Sequence, residues 1–362
     1  MLSLLKNLEC YTPKYIGKKD ILICGEKILK IQPDIKPCGF IDAIYECGGL
    51  YAFPGLVDQH VHIIGGGGEE GYQSGISEIE IDKILKSGIT TLVGLLGADS
   101  STKSLRSLYA KAKKLEAQGL TTYLYSGSYT LPPVTITEDL IHDLVFIDKV
   151  IGVKTSISDH RSSHPGIHEI IKIASDAHLG GLLSGKAGVV HIHIGDGKNG
   201  LSPLYKILKE SDLSVEQFVP THLNRNPDLF EQAVEYCRFG GKIDLTAGEK
   251  NGLTVPDAVS RLLIEGIDMK RITVSSDANG SMPNGGVSGT GALYDDIRNC
   301  IVEKGISPET AFSLVTKNPS ETLKLRPEKG TLSEGGDADI LIADKGYHIK
   351  KLFSRGSLMT DQ

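Results

Sequence analysis

The sequence predicts a (β/α)8 TIM barrel with a small β-sandwich domain formed by its N- and C-terminal segments. Three observations carry that reading. From Phe53 onward, apolar β-branched runs alternate with amphipathic stretches of helical length, the repeat of a parallel sheet covered on both faces. Eight such runs occur, which favours a closed barrel over an open doubly wound sheet. Both ends of the chain read instead as short strands without helices, so the barrel is inserted between two parts of one β domain. The expected boundaries are 1–52 plus 326–362 for the β domain and 53–325 for the barrel. A chain of 362 residues has room for a barrel of about 250 residues or more and something small beside it.

Taken in order, ILIC (21–24) and ILKIQ (28–32) alternate in polarity around a turn at Gly25-Glu26-Lys27, the pattern of a hairpin. Barrel strands are expected at 55–62, 89–96, 121–128, 150–158, 188–195, 218–224, 242–247 and 272–278. Helices are expected between them, among others over 104–118, 165–178 and 227–239. The last begins with Pro in its first turn and ends before Gly240-Gly241. Two more helices are expected near 289–303 and 308–324, after which the chain returns to strands.

The composition, 40% apolar and 23% charged, is that of an ordinary folded chain and unlike a disordered or fibrous one. With a net charge of −6, and with Lys and Arg scattered, no basic stripe exists to follow phosphates, so no nucleic-acid partner is expected. No run reaches the roughly 18 apolar residues of a membrane span, and the first twenty residues lack a signal-peptide core. A cytoplasmic protein with no membrane partner is expected. The six cysteines (Cys10, Cys24, Cys38, Cys47, Cys237, Cys300) include no CxxC pair, so they signal neither a disulfide framework nor a thiolate zinc site. They are expected to be reduced and mostly buried.

The chemistry begins at His60-Val61-His62. Residues two apart on a strand project to one side, so both imidazoles face the barrel mouth. A single buried histidine is more often a packed core residue than a ligand. An HxH at the end of the first barrel strand, followed by GGGGEEG, reverses those odds. Lys154, His193, His222 and Asp277 fall on the fourth, fifth, sixth and eighth strands, and such distant residues meet at one mouth only if the chain closes as a barrel. The six are expected to hold two Zn2+ ions. Lysine is the odd member, because an ammonium repels cations and a neutral amine binds only one. A desolvated lysine of lowered pKa can react with carbon dioxide, and N6-carboxylated Lys154 would then bridge both ions. A hydroxide bridging the same pair would be the nucleophile, with Asp277 carrying its proton to the departing amine. His191 shares a face with His193, but His193 lies nearer the strand's C-terminal end and is the expected ligand, with His191 one layer down. His160, His164 and His168 are expected to be solvated.

The segments PGLVDQHVHIIGGGGE, GLLGADS, VIGVKTSISDHRS, HIHIGD, PTHLNRN and SSDANGS resemble, in order and at comparable spacing, those of the amidohydrolase superfamily, and within it the isoaspartyl (β-aspartyl) dipeptidases. HxH alone marks the superfamily, whereas GGGGE, SDHRS and THLNRN are more particular. The resemblance implies a dinuclear zinc dipeptidase that hydrolyses the isopeptide bond of β-aspartyl dipeptides in the breakdown of isoaspartyl-damaged proteins. It also implies a homo-oligomer, such as an octamer. By the same resemblance, Glu69 holds the substrate's α-amino group, Tyr129 stabilises the tetrahedral oxyanion, and Arg161, Arg225 and Ser281 hold carboxylates. The chemistry agrees, since such a dipeptide carries one ammonium and two free carboxylates, which an acid and about two guanidinium groups match. Ala98 in GLLGADS departs from the family pattern, which has a hydroxyl there. The lost contact is worth on the order of 1 kcal/mol unless water or Ser100 compensates. The glycine-rich PNGGVSG (283–289) is read as a candidate lid.

Two other readings share parts of this pattern. A cyclic amidohydrolase of the dihydroorotase or hydantoinase kind would use the same six metal-site residues, but a cyclic amide has no free α-ammonium for Glu69. A non-catalytic scaffold on the same fold is expected to have lost ligands, and none is missing here.

Overall fold

The computed structural model describes residues 1–281 and 288–361, so most of the candidate lid, residues 283–287, lies outside the described residues. Five strands come first: β1 (Leu2–Tyr11), β2 (Tyr15–Cys24), β3 (Lys27–Gln32), β4 (Ala43–Glu46) and β5 (Tyr51–Pro54). The barrel strands follow as β6 (Leu56–Val61), β7 (Ile89–Gly94), β8 (Thr121–Gly127), β9 (Val150–Ile157), β10 (Val189–Ile194), β11 (Phe218–Thr221), β12 (Ile243–Thr246) and β13 (Ile272–Ser275). Helices α1 (Ile81–Lys86), α2 (Leu105–Ala117), α3 (Leu140–Phe146), α4 (Ile167–Ser184), α5 (Ser202–Glu210), α6 (Pro227–Arg238) and α7 (Val255–Ile264) alternate with them. The chain ends with α8 (Gly291–Val302), α9 (Pro308–Ser313), α10 (Lys317–Thr322), β14 (Ile340–Ala343), β15 (Ile349–Ser354) and β16 (Ser357–Asp361).

Strands β6 to β11 pair in parallel in chain order, and β12 pairs in parallel with β13. The ring closes where Val61 bridges Ala278 and the His62 amide donates to the Ala278 carbonyl (2.9 Å). On the other side of the β12–β13 pair, the Leu223 amide reaches the Asp244 carbonyl (3.4 Å). The eight parallel strands thus form a (β/α)8 barrel. Its lower interior is filled by Val57, Val93, Tyr125, Ile151, Val189 and Val219 and closed by Leu323 and Leu325. Burying each such aliphatic side chain contributes about 1.5–3 kcal/mol.

The two ends of the chain share one sheet, because β5 is parallel to β1 and antiparallel to β14. Ile28 on β3 and Ile340 and Ile342 on β14 enter one apolar cluster with Leu5, Ile21 and Phe353, so the halves of this sheet face each other across it. Lys329 fastens the sheet to the barrel, donating to Asp339 (2.6 Å) and to Thr121 at the start of β8 (2.7 Å).

One expectation requires correction. The single helix expected over 308–324 is split into α9 and α10, because the carbonyls of Leu314 and Val315 accept from the strand amides of Val274 (3.1 Å) and Val57 (2.8 Å) instead of continuing a helical ladder. The cysteines are mostly buried, as expected: four lie inside and Cys24 and Cys38 are exposed. Among the described residues, no helix is long and apolar enough to cross a membrane.

The backbone ladder is weakest on either side of the β12–β13 pair, and a buried carboxylate supplies the missing ties. Asp244 on β12 accepts from Gln59 of β6 (2.6 Å), Thr221 of β11 (2.7 Å), and Thr273 (2.7 Å) and Ser275 (2.5 Å) of β13. Burial pushes its carboxyl upward, and those four donors work against the push. Asp244→Ala removes the acceptor of Thr221 and Ser275 and one of the two acceptors of Gln59 and of Thr273, and is expected to cost about 3–5 kcal/mol in urea denaturation. Asp244→Asn, which keeps one acceptor oxygen, should lose about half as much.

Candidate metal centre and substrate cleft

All the residues singled out in the sequence lie at the C-terminal ends of barrel strands or in the loops that follow. His60 is the penultimate residue of β6 and His62 lies just beyond it; Lys154 and His193 are within β9 and β10. His222 follows β11 directly with φ 70°, and Asp277 follows β13 with φ 49°. These left-handed conformations, which His and Asp tolerate better than most residues, turn both side chains over the mouth. Gly280 permits the turn after Asp277, since a Cβ there would lie 2.7 Å from the Asp277 Oδ1.

The six candidate ligands converge. Nε2 of His60 and Nε2 of His62 each lie 3.2 Å from Asp277 Oδ1, and Nδ1 of His222 lies 4.0 Å from Asp277 Oδ2. Lys154 Nζ is 3.2 Å from His60 Nε2. The rings of His193 and His222 are 4.6 Å apart, and those of His60 and His222 5.1 Å. Tyr129 hydroxyl lies 2.7 Å from His193 Nδ1, within one hydrogen bond of this set. His191 sits below it, with Nε2 2.8 Å from His60 Nδ1.

Burial sets the charges. It drives His60, with help from the Lys154 charge, down to about 3; it drives His193 to about 3 and His222 well below the ordinary range. Burial also lowers Lys154 to about 7, against the pull of Asp277 and Asp244. Asp277 would be raised by the same burial, but the imidazoles of His60 and His222 and hydrogen bonds from His60 and His62 hold it well below the usual carboxylate range. The phenol of Tyr129 is pushed far up by burial and remains a hydrogen-bond donor. Neutral imidazoles, an ionised carboxylate and an amine that loses its proton near neutrality suit a divalent cation, and the ligand atoms of His60, His62 and Asp277 lie within 4.8 Å of one another. The His60, His62 and Asp277 donors fit a divalent cation, while His193 has Tyr129 at Nδ1 and Asp159 at Nε2.

A narrow cleft with room for about 20 Å³ opens above this floor. His62, His193 and Asp277 line its base, and Glu69, Ala98, Tyr129, Arg161, Arg225 and Ser281 line its walls. Every candidate substrate residue is therefore brought to one cavity. Arg161 Nη1 donates to Glu69 Oε1 (3.1 Å), and Ser281 hydroxyl donates to the same oxygen (3.0 Å). Arg225 Nη2 lies 3.8 Å from Asp277 Oδ2 and its Nε 3.7 Å from Glu249. Ala98 presents only a methyl to the cleft. His160 is exposed, as expected of a loop histidine.

Residues that hold these groups in place escaped the sequence reading. Asp159 Oδ2 accepts from Arg161 (2.8 Å) and lies 2.7 Å from His193 Nε2, while Oδ1 accepts Arg161 Nε (3.0 Å). Burial would raise this carboxyl, but the hydrogen bonds from His193 and Arg161 keep it far below its ordinary value. Thr246 pairs with His222 Nδ1 (2.7 Å) and so restrains that ring. Lys103 donates to the carbonyls of Gly65 (2.7 Å) and Gly66 (3.3 Å), fixing the glycine loop that carries Glu69. The SDHRS string held the one available signal, an acid two residues before an arginine. Asp159→Ala strips the shared acceptor from a buried imidazole and a guanidinium. It should destabilise the metal-free protein by about 2–4 kcal/mol in chemical denaturation, and Asp159→Asn by less.

Comparison with known proteins identifies the family and the fold. The pattern of the amidohydrolase family matches residues 51–359. Among curated relatives, adenine deaminase 1 of Desulfotalea psychrophila is 22% identical over 94% of this chain, which spans only 54% of that protein's length. The L-hydantoinase of Paenarthrobacter aurescens is 22% identical over 96% of this chain and 86% of its own length. The crystal structure of the β-aspartyl dipeptidase of Fervidobacterium islandicum AW-1 is 40% identical, covering 100% of this chain and 97% of that one with a TM-score of 0.94. A crystal structure of the enzyme from the same organism in complex with β-Asp-Leu is 41% identical at the same TM-score. Dihydropyrimidinase from Brevibacillus agri, 15% identical with a TM-score of 0.71, shares the fold. The chain belongs to the amidohydrolase family and, within it, resembles the β-aspartyl dipeptidases.

Proposed function

We propose that this protein is a metal-dependent dipeptidase that hydrolyses the isopeptide bond of β-aspartyl dipeptides. The observation that carries the reading is the meeting of Glu69, Arg161, Arg225 and Ser281 on the walls of one cleft whose base is formed by His62, His193 and Asp277. The 40% identity to a β-aspartyl dipeptidase over the whole chain supports it.

His60, His62, Lys154, His193, His222 and Asp277 would hold two divalent ions, zinc in our reading, with Lys154 as a carbamate. Bound there, such ions lower the pKa of water and polarise a carbonyl. Asp277, ionised and within reach of the floor of the cleft, takes the proton released as water attacks the β-carbonyl and delivers it to the leaving α-amine, which departs poorly as an anion. Tyr129, kept protonated by burial, donates to the oxygen on which negative charge develops. Glu69 pairs with the α-ammonium of the aspartyl residue through the oxygen that Arg161 and Ser281 leave free. Arg161 and Arg225 hold the two carboxylates, and Asp159 braces Arg161 so that little side-chain freedom is lost on binding.

Purified protein supplied with zinc should cleave β-Asp-Leu and leave α-Asp-Leu, dihydroorotate and hydantoin essentially untouched. Equal rates on α-Asp-Leu and β-Asp-Leu would refute the assignment. Asp277→Asn should lower kcat by about 100-fold or more, and Glu69→Gln should reduce kcat/KM for β-Asp-Leu by about 100-fold, as expected for a lost charge-assisted contact.

Lys154 gives a pH dependence. Carbon dioxide reacts with the neutral amine, and for a group titrating at about 7 the neutral form falls from roughly nine in ten at pH 8 to one in ten at pH 6. Reactivation of metal-free protein by zinc at a fixed concentration of dissolved carbon dioxide should therefore be about tenfold faster at pH 8 than at pH 6. In Lys154→Met any residual zinc uptake should show no bicarbonate dependence, and a dependence that persists there would exclude the carbamate.

A further inference from the structure

His191 is a fully buried histidine outside the candidate ligand set. It lies on β10 directly opposite Lys154 on β9, and its ring stacks on Tyr125 with centroids 5.0 Å apart and planes 14° from parallel. Its Nε2 is 2.8 Å from His60 Nδ1. His60 turns its other nitrogen, Nε2, toward Asp277 Oδ1 and Lys154 Nζ, each 3.2 Å away. A neutral imidazole has one N–H and one lone pair. For His60 Nε2 to give a lone pair to a cation, the proton must sit on Nδ1, and the atom placed to accept it is His191 Nε2. His191 then carries its own proton on Nδ1, a buried nitrogen for which the described residues offer no acceptor, so the N–H left unpaired lies one ring away from the ligand and not on it.

We infer that His191 is a positioning residue for His60: it holds that ring in the tautomer and rotation that aim the Nε2 lone pair at a metal shared with His62. The inference rests on the metal reading above. An apolar side chain in its place would leave a buried N–H on His60 Nδ1 without an acceptor, and the ring would relax toward the tautomer with its proton on Nε2, where a cation cannot bind. The stack on Tyr125 restrains His191 in turn, so the orientation is fixed two residues deep. A neutral partner also adds no negative charge to a barrel interior that already buries Asp58 and Asp244 beside Asp277.

The test compares wild type, His191→Gln and His191→Phe. Glutamine places an amide oxygen near the position of the imidazole Nε2, while phenylalanine keeps a ring against Tyr125 but offers no acceptor. Zinc per chain is counted after dialysis, affinity is read by competition with a chromophoric chelator, and thermal midpoints are taken on the metal-free forms. Wild type should retain two ions, His191→Phe should bind one of them roughly 10–100-fold more weakly, and His191→Gln should bind nearly as wild type, with similar metal-free midpoints. Wild-type affinity and stoichiometry in His191→Phe would overturn the inference and leave the metal reading standing, whereas a wild type that binds no zinc would overturn the metal reading itself. If His191→Phe does not fold, His191→Met is put through the same titration and decides the matter in the same way.

Discussion

Everything at the mouth of this barrel depends on β13 closing against β6. The bridge between Val61 and Ala278 and the bond from the His62 amide to the Ala278 carbonyl join segments more than two hundred residues apart. Asp277 precedes Ala278 in the chain, so the closure itself delivers its carboxylate to within 3.2 Å of His60 and His62. Loop-closure entropy rises only slowly with length, which lets so distant a contact form once the six-stranded sheet is in place. The buried Asp244 network reinforces the same seam, where the backbone ladder is thinnest.

Closure also excludes water, and that one change accounts for most of the electrostatics. It leaves the imidazoles of His60, His193 and His222 neutral, brings Lys154 to the edge of deprotonation, and keeps the Tyr129 phenol protonated. Asp277 and Asp159 resist the trend because each is surrounded by donors. Desolvation thus sorts the residues by type: lone-pair donors at the floor, anions where N–H groups converge, and one phenolic donor beside them.

Much of the barrel was legible in the chain because each strand is a short apolar run, and such runs need no knowledge of their neighbours to be seen. The eight expected runs each contain a barrel strand, with ends displaced by a few residues at most. Convergence of the HxH pair with Lys154, His193, His222 and Asp277 followed once a barrel was assumed, since strand ends share one face. Asp159, Thr246 and Lys103 were not legible. Each acts through a nitrogen or carbonyl of another segment, and a polar residue in a loop or at a strand end gives little sign of which group it will meet. The break between α9 and α10 was hidden for the same reason, because the carbonyls that end the first helix are claimed by amides of two barrel strands, at Val274 and at Val57.

The walls of the cleft are coupled to its floor through a single carboxylate. Asp159 grips Arg161 with both oxygens and shares one of them with His193 Nε2, while Arg161 reaches on to Glu69 and Glu69 to Ser281. A substrate that pairs its ammonium with Glu69 and a carboxylate with Arg161 therefore pulls on groups already in register with a candidate metal ligand. Binding energy from parts of the substrate that do not react can in this way be used to align the part that does. A cyclic amide has no ammonium to enter that chain of contacts, so it would reach the same floor without engaging the device that positions it. Related amidohydrolases can accordingly share a barrel and a floor of histidines while differing in reaction, with selectivity residing in the charged wall above.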